Sequence, residues 1–471
     1  MEKNQDMLTY NFTNIGSDSL YEYLYKCVKR DINTGKLRAG ERLPSKRAFA
    51  KNLGISVITV ENAYGQLMAE GYIYSIPKKG FYVSELKETV ISEKAVEKEK
   101  VMLTGDNNTY LADFSSNQTD TEVFPFSIWT KTMREVMNEN QEQLMTNPPC
   151  GGIMELRTSI SDYLKAFRGM TVKPEQIIIG AGTEYLYSLI IQLMGNSVTY
   201  GVENPGYPKI AQIYKSMHVP YKYVGLDGEG VSARELEENK IDVIHISPSH
   251  HFPTGKVMPI SRRYELLGWA SKEPGRYIIE DDYDSELRLS GKPIPTLQSI
   301  DVSDKVIYIN TFTKTLCSTV RISYMVLPET LANAFYQKLS FYSCTVSNFE
   351  QYTLARFMEN GSFEKHINRL RNYYQKKRDV ILKAFLDEPI GKYVSIMEEE
   401  AGVHFLMQIK SEKDEYEIVK AAKSRGIKLV PLSEFYCGDT KAYQNIYMMN
   451  YSSIKAELSK EIAMGVFWAF S

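Results

Sequence analysis

Between residues 177 and 326, short apolar runs alternate with segments of helical spacing. The runs cover 177–179, 197–200, 219–224, 243–246, 277–279, 306–309 and 322–326, with helical spacing over 185–194, 209–217 and 261–272. Short, largely apolar runs of this length are the pattern of strands buried in a sheet, and the helices between them supply the crossovers. The expected fold is therefore α/β, with a mostly parallel sheet covered on both sides. Such a sheet exposes chemistry at the carboxyl ends of its strands. Two ends carry it here. The run 277–279 leads into Glu280-Asp281-Asp282-Tyr283-Asp284, and the run 306–309 leads into Asn310-Thr311-Phe312-Thr313-Lys314-Thr315, with Arg321 seven residues beyond Lys314.

The rest of the composition narrows the class. A chain of 471 residues with 43% apolar content is long enough for two or three domains. A net charge of -2 implies no global attraction to nucleic acid, although a small basic module could hide in that average. The start is polar and no apolar run approaches the ~18–20 residues of a membrane span, so a cytoplasmic protein without membrane partners is expected. Cys27, Cys150, Cys317, Cys344 and Cys437 are scattered and odd in number, which fits a reducing compartment and shows no zinc spacing. His250 and His251 have no ligand companions in sequence, and no metal is expected.

Residues 1–85 form a separate pattern. Helical spacing over 19–34 ends at Gly35; Ser45 is a candidate cap for a helix over 46–53; Gly54 breaks it; Ser56 caps a third helix that stops near Gly71. Two short strands follow, 72–76 and 81–83, around Pro77-Lys78-Lys79-Gly80. Three helices and a hairpin with a basic tip make a winged helix-turn-helix. This stretch holds 12 Lys+Arg against 9 Asp+Glu, with the basic groups bunched. Lys46, Arg47, Lys78 and Lys79 are expected on the side facing double-stranded DNA, and Ser56 and Thr59 at the start of the recognition helix. Residues 86–109, rich in Lys and Glu, read as a linker. The remainder, 110–471, is the α/β domain, whose pattern changes past 330 to long helices and then a small α+β lobe, about 345–471.

The two strand ends suggest a lysine that forms a Schiff base, which requires an electron sink. Pyridoxal 5′-phosphate is such a sink. Lys314 would be the Schiff-base residue, Asp281 would face the pyridine nitrogen, and Tyr283 would donate to the ring phenolate oxygen. Arg321, Thr311, Thr313, Gly182 and Thr183 would hold the phosphate, and Tyr207 would stack on the ring. His250 is counted among the cofactor contacts, and Lys209 is the candidate cation for an effector.

The head resembles the winged-helix domain of GntR regulators, on Gly40-Glu41-Arg42-Leu43-Pro44-Ser45, Leu53-Gly54-Ile55-Ser56, Thr59-Val60 and Glu70-Gly71-Tyr72. From about Asp113 the chain is similar to fold-type I aminotransferases, on Glu203-Asn204-Pro205-Gly206-Tyr207, Pro248-Ser249-His250, Pro253-Thr254-Gly255, Phe312-Thr313-Lys314-Thr315-Leu316 and Arg321. The fused order is that of the MocR/GabR subfamily. The resemblance implies a regulator that binds promoter DNA and responds to pyridoxal phosphate, or to a small amine or amino acid that reacts with it. It also implies a head-to-tail homodimer. The alternative is an active aminotransferase carrying a DNA-binding domain; if the chain is a sensor, aminotransferase turnover is residual at most. Four departures from the pattern stand out. Val57 replaces the usual arginine after Ser56. Glu184 replaces a glutamine and is expected to turn away from the phosphate. Pro148-Pro149-Cys150 replaces a word that usually carries an aromatic. Finally, no arginine follows Arg425, so the small-lobe arginine that clamps a substrate carboxylate in aminotransferases is missing. This favours the cofactor alone, or an amine without an α-carboxylate, as the signal.

Overall fold

In a computed structural model the described residues are 8–12, 15, 18–85, 109–116, 118–289, 294–400, 402–438 and 443–471. The expected linker lies outside them except for residue 109. The chain divides into two compact units, Met1–Gly105 and Asp106–Ser471.

In the first unit, α1 (Leu20–Asn33) is followed by β1 (Arg42–Leu43), α2 (Lys46–Leu53), α3 (Val57–Ala69), β2 (Ile73–Ile76) and β3 (Gly80–Val83). Leu24, Val28 and Ile32 of α1 share one core with Val60, Ala63, Tyr64 and Leu67 of α3. The serines act as the sequence implied: Ser45 Oγ accepts from the Ala48 amide at 3.2 Å, and Ser56 Oγ accepts from the Thr59 amide at 3.0 Å. Between the two helices Gly54 sits at φ +67°, a left-handed conformation that a side chain would strain. The wing is antiparallel in the order β1-β3-β2, and Ile76 pairs with Gly80 across the tip.

The second unit opens with β4 (Ala112–Asp113) and builds a seven-stranded sheet. Its strands are β5 (Ile177–Ala181), β6 (Tyr200–Asn204), β7 (Tyr221–Gly225), β8 (Val243–Ile246), β9 (Tyr277–Asp281), β10 (Val306–Thr311) and β11 (Ile322–Val326). Their order is β5-β11-β10-β9-β8-β6-β7, with β11 antiparallel to both neighbours and the other contacts parallel. One strand lies further along than its apolar run suggested. β6 starts at Tyr200 and runs through Gly201, which reads as a breaker in sequence. A β-carbon there would come within 2.8 Å of the Ile244 side chain, so the glycine serves close packing inside the sheet.

The small lobe adds β12 (Val394–Met397), β13 (His404–Ile409), β14 (Ile427–Lys428), β15 (Val430–Pro431) and β16 (Ile446–Asn450). Four of these form the antiparallel sheet β12-β13-β16-β15, while β14 pairs in parallel with β4. The segment that opens the unit thus joins this lobe, with Ala112 and Phe114 in its core. Helix Ser362–Leu386 ties the two cores together. Phe363 and Ile367 pack under the large sheet, whereas Leu370, Tyr374, Ile381 and Phe385 pack in the small lobe. Among the described residues, no helix is long and apolar enough to cross a membrane.

Candidate functional site

Register sets the centre of the site. β9 and β10 are parallel neighbours in which Ile309 lies beside Asp281, so both strands end on the same edge of the sheet. Past those ends, a cavity of 330 Å³ is lined by residues that include Thr183, Tyr207, Lys209, Asp281, Tyr283, Thr311, Thr313, Lys314 and Arg321. Gly182 is at the rim. It sits at φ +92°, which strains any residue with a side chain, as the cap before helix Thr183–Met194, and the Arg321 guanidinium packs so closely on it that an added β-carbon would have to displace that group. Arg321 is itself held at φ +52°. Ser323 donates to Thr311 Oγ1 at 2.8 Å, and the hydroxyls of Thr311 and Thr313 are 2.7 Å apart. A glycine cap, two threonine hydroxyls and an arginine form a cradle suited to a phosphate monoester.

Asp281 is buried and asymmetric. Its Oδ2 accepts from the Tyr187 hydroxyl at 2.5 Å and lies 3.4 Å from His245 Nε2. Its Oδ1 is buried with no hydrogen-bond partner among the described residues. An orphaned carboxylate oxygen at a cavity wall is costly unless a donor meets it, and a protonated pyridine nitrogen is such a donor. Lys314 is also buried, and burial pushes its amine down from 10.5 to about 8 against the opposing pull of Asp284. A substantial neutral fraction near neutral pH is what a nucleophilic amine needs. The residues present therefore fit pyridoxal phosphate.

His250 does not line the cavity. It stands behind Tyr283, with Nδ1 at 3.2 Å from the Tyr283 hydroxyl and 2.8 Å from Asp284 Oδ2. Its Nδ1 is placed to orient these two groups. His250, Asp284 and His404 bring candidate ligand atoms within 4.8 Å of one another, a companionship that their separation in sequence concealed. The other acids of the word serve structure. Glu280 accepts from the amides of Leu297 and Gln298, and Asp282 pairs with Arg168 at 2.8 Å.

The expectation for Glu184 is corrected. It turns inward, accepts from Arg321 Nη2 at 2.9 Å and pairs with Lys209. Two cations, Lys209 and Arg321, hold it there. Lys209, expected to await an effector, is therefore engaged. Tyr187, His245, His404 and Asn450 were missed. The first two reach Asp281 from 94 and 36 residues away, and the last two sit at the facing ends of β13 and β16. No spacing rule finds such pairs.

The missing carboxylate clamp has a structural counterpart. On β16, Met448 packs with Leu406, Val430 and Leu432 in an apolar cluster, and Asn450 faces the cavity. Arg425 is spent on a helix end, where Nη1 donates to the Ala421 carbonyl at 3.2 Å.

In the head, Arg47, Ser56, Lys78 and Lys79 are exposed and Thr59 is half-buried. Lys46 is instead paired with Glu61 of α3 at 2.6 Å. Val57 and Ile58, 42% and 68% exposed, present an apolar start to α3.

Comparison with known proteins agrees with this division. Residues 110–454 match the family of class I and II aminotransferases, and residues 20–83 match the gntR family of bacterial regulatory proteins. The chain is 38% identical to the HTH-type transcriptional regulator YdeL of Bacillus subtilis, over 88% of this chain and 90% of that one. It is 29% identical to the pyridoxine biosynthesis regulator PdxR of Corynebacterium glutamicum, over 95% and 97%. Among solved structures, the multiple substrate aminotransferase of Thermococcus profundus matches with a TM-score of 0.68 at 22% identity, covering 79% of this chain and 96% of that one.

Proposed function

We propose that this chain, which belongs to the MocR-type regulators with a gntR-family head and a class I and II aminotransferase domain, senses pyridoxal 5′-phosphate and a small amine through Lys314. It is a transcriptional regulator; the signal and the site that reads it are the proposal. The observation that carries it is the pairing of a buried amine, Lys314, with the orphaned Oδ1 of Asp281 across one cavity. When bound, the cofactor would supply an aldehyde carbon open to amines and a ring that withdraws electrons. Asp281 would hold a proton at the ring nitrogen, and Tyr187 and His245 fix its carboxylate for that task. Tyr283, oriented by His250, would face the ring oxygen, and Arg321 with Thr311 and Thr313 would hold the phosphate. Tyr207 would cover the ring.

Lys314 would hold the cofactor through its aldehyde carbon, the group that a small amine would also claim. The two outcomes are two states of the domain, and their unequal affinity for promoter DNA is the response. The apolar cluster around Met448 leaves no arginine for an α-carboxylate, which favours amines that lack one. One experiment tests both halves. Pyridoxal phosphate is titrated into the purified protein with the visible spectrum and borohydride trapping as readouts, and a panel of simple amines and α-amino acids follows. Capture on Lys314, with spectral change driven by amines, is expected. No capture defeats the cofactor reading, and tight conversion by an α-amino acid defeats the effector reading.

For the head, Arg47, Lys78 and Lys79 are the proposed phosphate contacts. Changing each to alanine is expected to flatten the dependence of log affinity on log salt by about 0.9. Lys46→Ala is expected to do less, because Glu61 already neutralises that lysine. Titrations of promoter DNA at several salt concentrations measure this directly. Membership of this subfamily supports a head-to-tail homodimer as the active species in solution.

A further inference from the structure

The cavity holds three charged side chains whose balance the cofactor reading does not use. Glu184 lies in the first turn of helix Thr183–Met194. Its two oxygens are divided: Oε1 pairs with Lys209, and Oε2 accepts from Arg321 at 2.9 Å. All three line the same cavity. Arg321 makes this contact from a backbone held at φ +52°, with its guanidinium packed against Gly182. The arrangement is therefore two cations bridged by one carboxylate, at the place where an anionic ligand would be received.

We infer that Glu184 is a specificity-determining residue: by bridging Lys209 and Arg321 it keeps these three side chains at a single net positive charge, so that a phosphate monoester is held loosely and reversibly, and neither of the two cations is left unanswered for the carboxylate of an amino acid. The inference rests on the cofactor reading for the identity of the phosphate ester. Its electrostatic core stands on the three side chains alone. A phosphate dianion meeting two cations and a carboxylate gains less than one meeting two cations, and the attraction that remains must compete with an internal anion already in contact. Loose retention is useful in a sensor, since a site saturated at all cofactor levels reports nothing. The same bridge explains how a chain with Lys209 at the mouth of the cavity can still discriminate against carboxylates. The lysine is present, but its charge is answered. Positions of the carboxylate rather than its acidity decide the matter, although both cations also hold its ionisation below the usual range, Lys209 first.

The test uses the full chain and three probes: inorganic phosphate followed by thermal shift, pyridoxal phosphate by absorbance, and pyridoxal, which lacks the phosphate. Glu184→Gln is expected to tighten inorganic phosphate and pyridoxal phosphate by about tenfold while leaving pyridoxal unchanged. It is also expected to let α-amino acids compete where the parent protein excludes them. Lys209→Met, which leaves Glu184 to Arg321 alone, is expected to weaken phosphate binding several-fold, and combining it with Glu184→Gln is expected to restore it. Unchanged or weaker phosphate binding in Glu184→Gln overturns the inference, as does tighter binding in Lys209→Met. Failure of either protein to capture pyridoxal phosphate, with the phosphate response as expected, would instead defeat the cofactor reading and leave this one standing.

Discussion

Lys314→Met is expected to produce a protein that captures no pyridoxal phosphate and yet melts at a higher temperature than its parent. The first effect is total, because methionine has no amine for borohydride to trap. The second follows from burial. The amine is pushed down from 10.5 to about 8, chiefly by removal from water. Each unit is worth about 1.4 kcal/mol, so carrying the charge into the fold at neutral pH costs up to roughly 3 kcal/mol. The sign runs with pH. Above 10.5 the amine is neutral in both folded and unfolded chains and imposes no penalty. As pH falls, the unfolded chain takes the proton first, stability is lost across the window between 10.5 and about 8, and below that window the loss is complete. The advantage of Lys314→Met should therefore be largest at pH 7 and vanish at strongly alkaline pH, provided both proteins are stripped of small molecules. Melting curves at several pH values measure it. Equal melting temperatures at pH 7 would mean that the amine is not desolvated, and the account of its reactivity would fail with it. Such a trade is typical of sites where function is bought with stability.

The sequence revealed the strands and what ends them more readily than it revealed what stands around them. The apolar runs of the central strands are recognisable because little interrupts them, whereas the edge strand β7 carries Lys222 and is largely exposed; the polar words after β9 and β10 mark the edge where chemistry can sit. That Lys314, Asp281, Tyr283 and Arg321 meet at one cavity was legible for that reason, and the caps Ser45 and Ser56 were legible because capping is local. Glu184 was misjudged because its environment was imagined as a phosphate alone; Arg321 approaches it from 137 residues away. Tyr187 looked like one more apolar position on a helix, yet its hydroxyl is committed to Asp281. His404 lay hidden in an apolar strand. The small lobe's first strand came from the other end of the unit, since β4 pairs with β14. In each case a long-range contact supplied the meaning, and a pattern of period two or 3.6 does not encode it.

Arg168→Met is expected to destabilise the second unit by about 3–5 kcal/mol, the cost of leaving one partner of a buried ion pair alone. Arg168 ends helix Met154–Arg168, and its Nη2 meets Asp282 at 2.8 Å, with both side chains almost wholly enclosed. Asp282 also accepts from the Tyr308 hydroxyl at 2.7 Å. Two further carboxyls, Glu280 and Glu286, are pushed from 4.5 up to about 7, by burial first and by the charge of Asp282 second. An acid raised in this way favours the fold while it is protonated. That contribution is complete below pH 4.5 and is lost as pH rises through about 7. Without Arg168 less positive charge offsets the three acids, so the deficit of the variant should be greater at pH 8 than at pH 5. Asp282→Asn, which strands the cation instead, should also destabilise, whereas Arg168→Met combined with Asp282→Leu should recover much of the loss. Urea unfolding at the two pH values distinguishes these outcomes. A uniform deficit at both would point to lost packing around the arginine stem rather than to charge. The site would register the change as well, because Asp282 lies between Asp281, the proposed partner of the ring nitrogen, and Tyr283. A backbone loosened at that residue releases both, and cofactor capture should weaken before the unit unfolds.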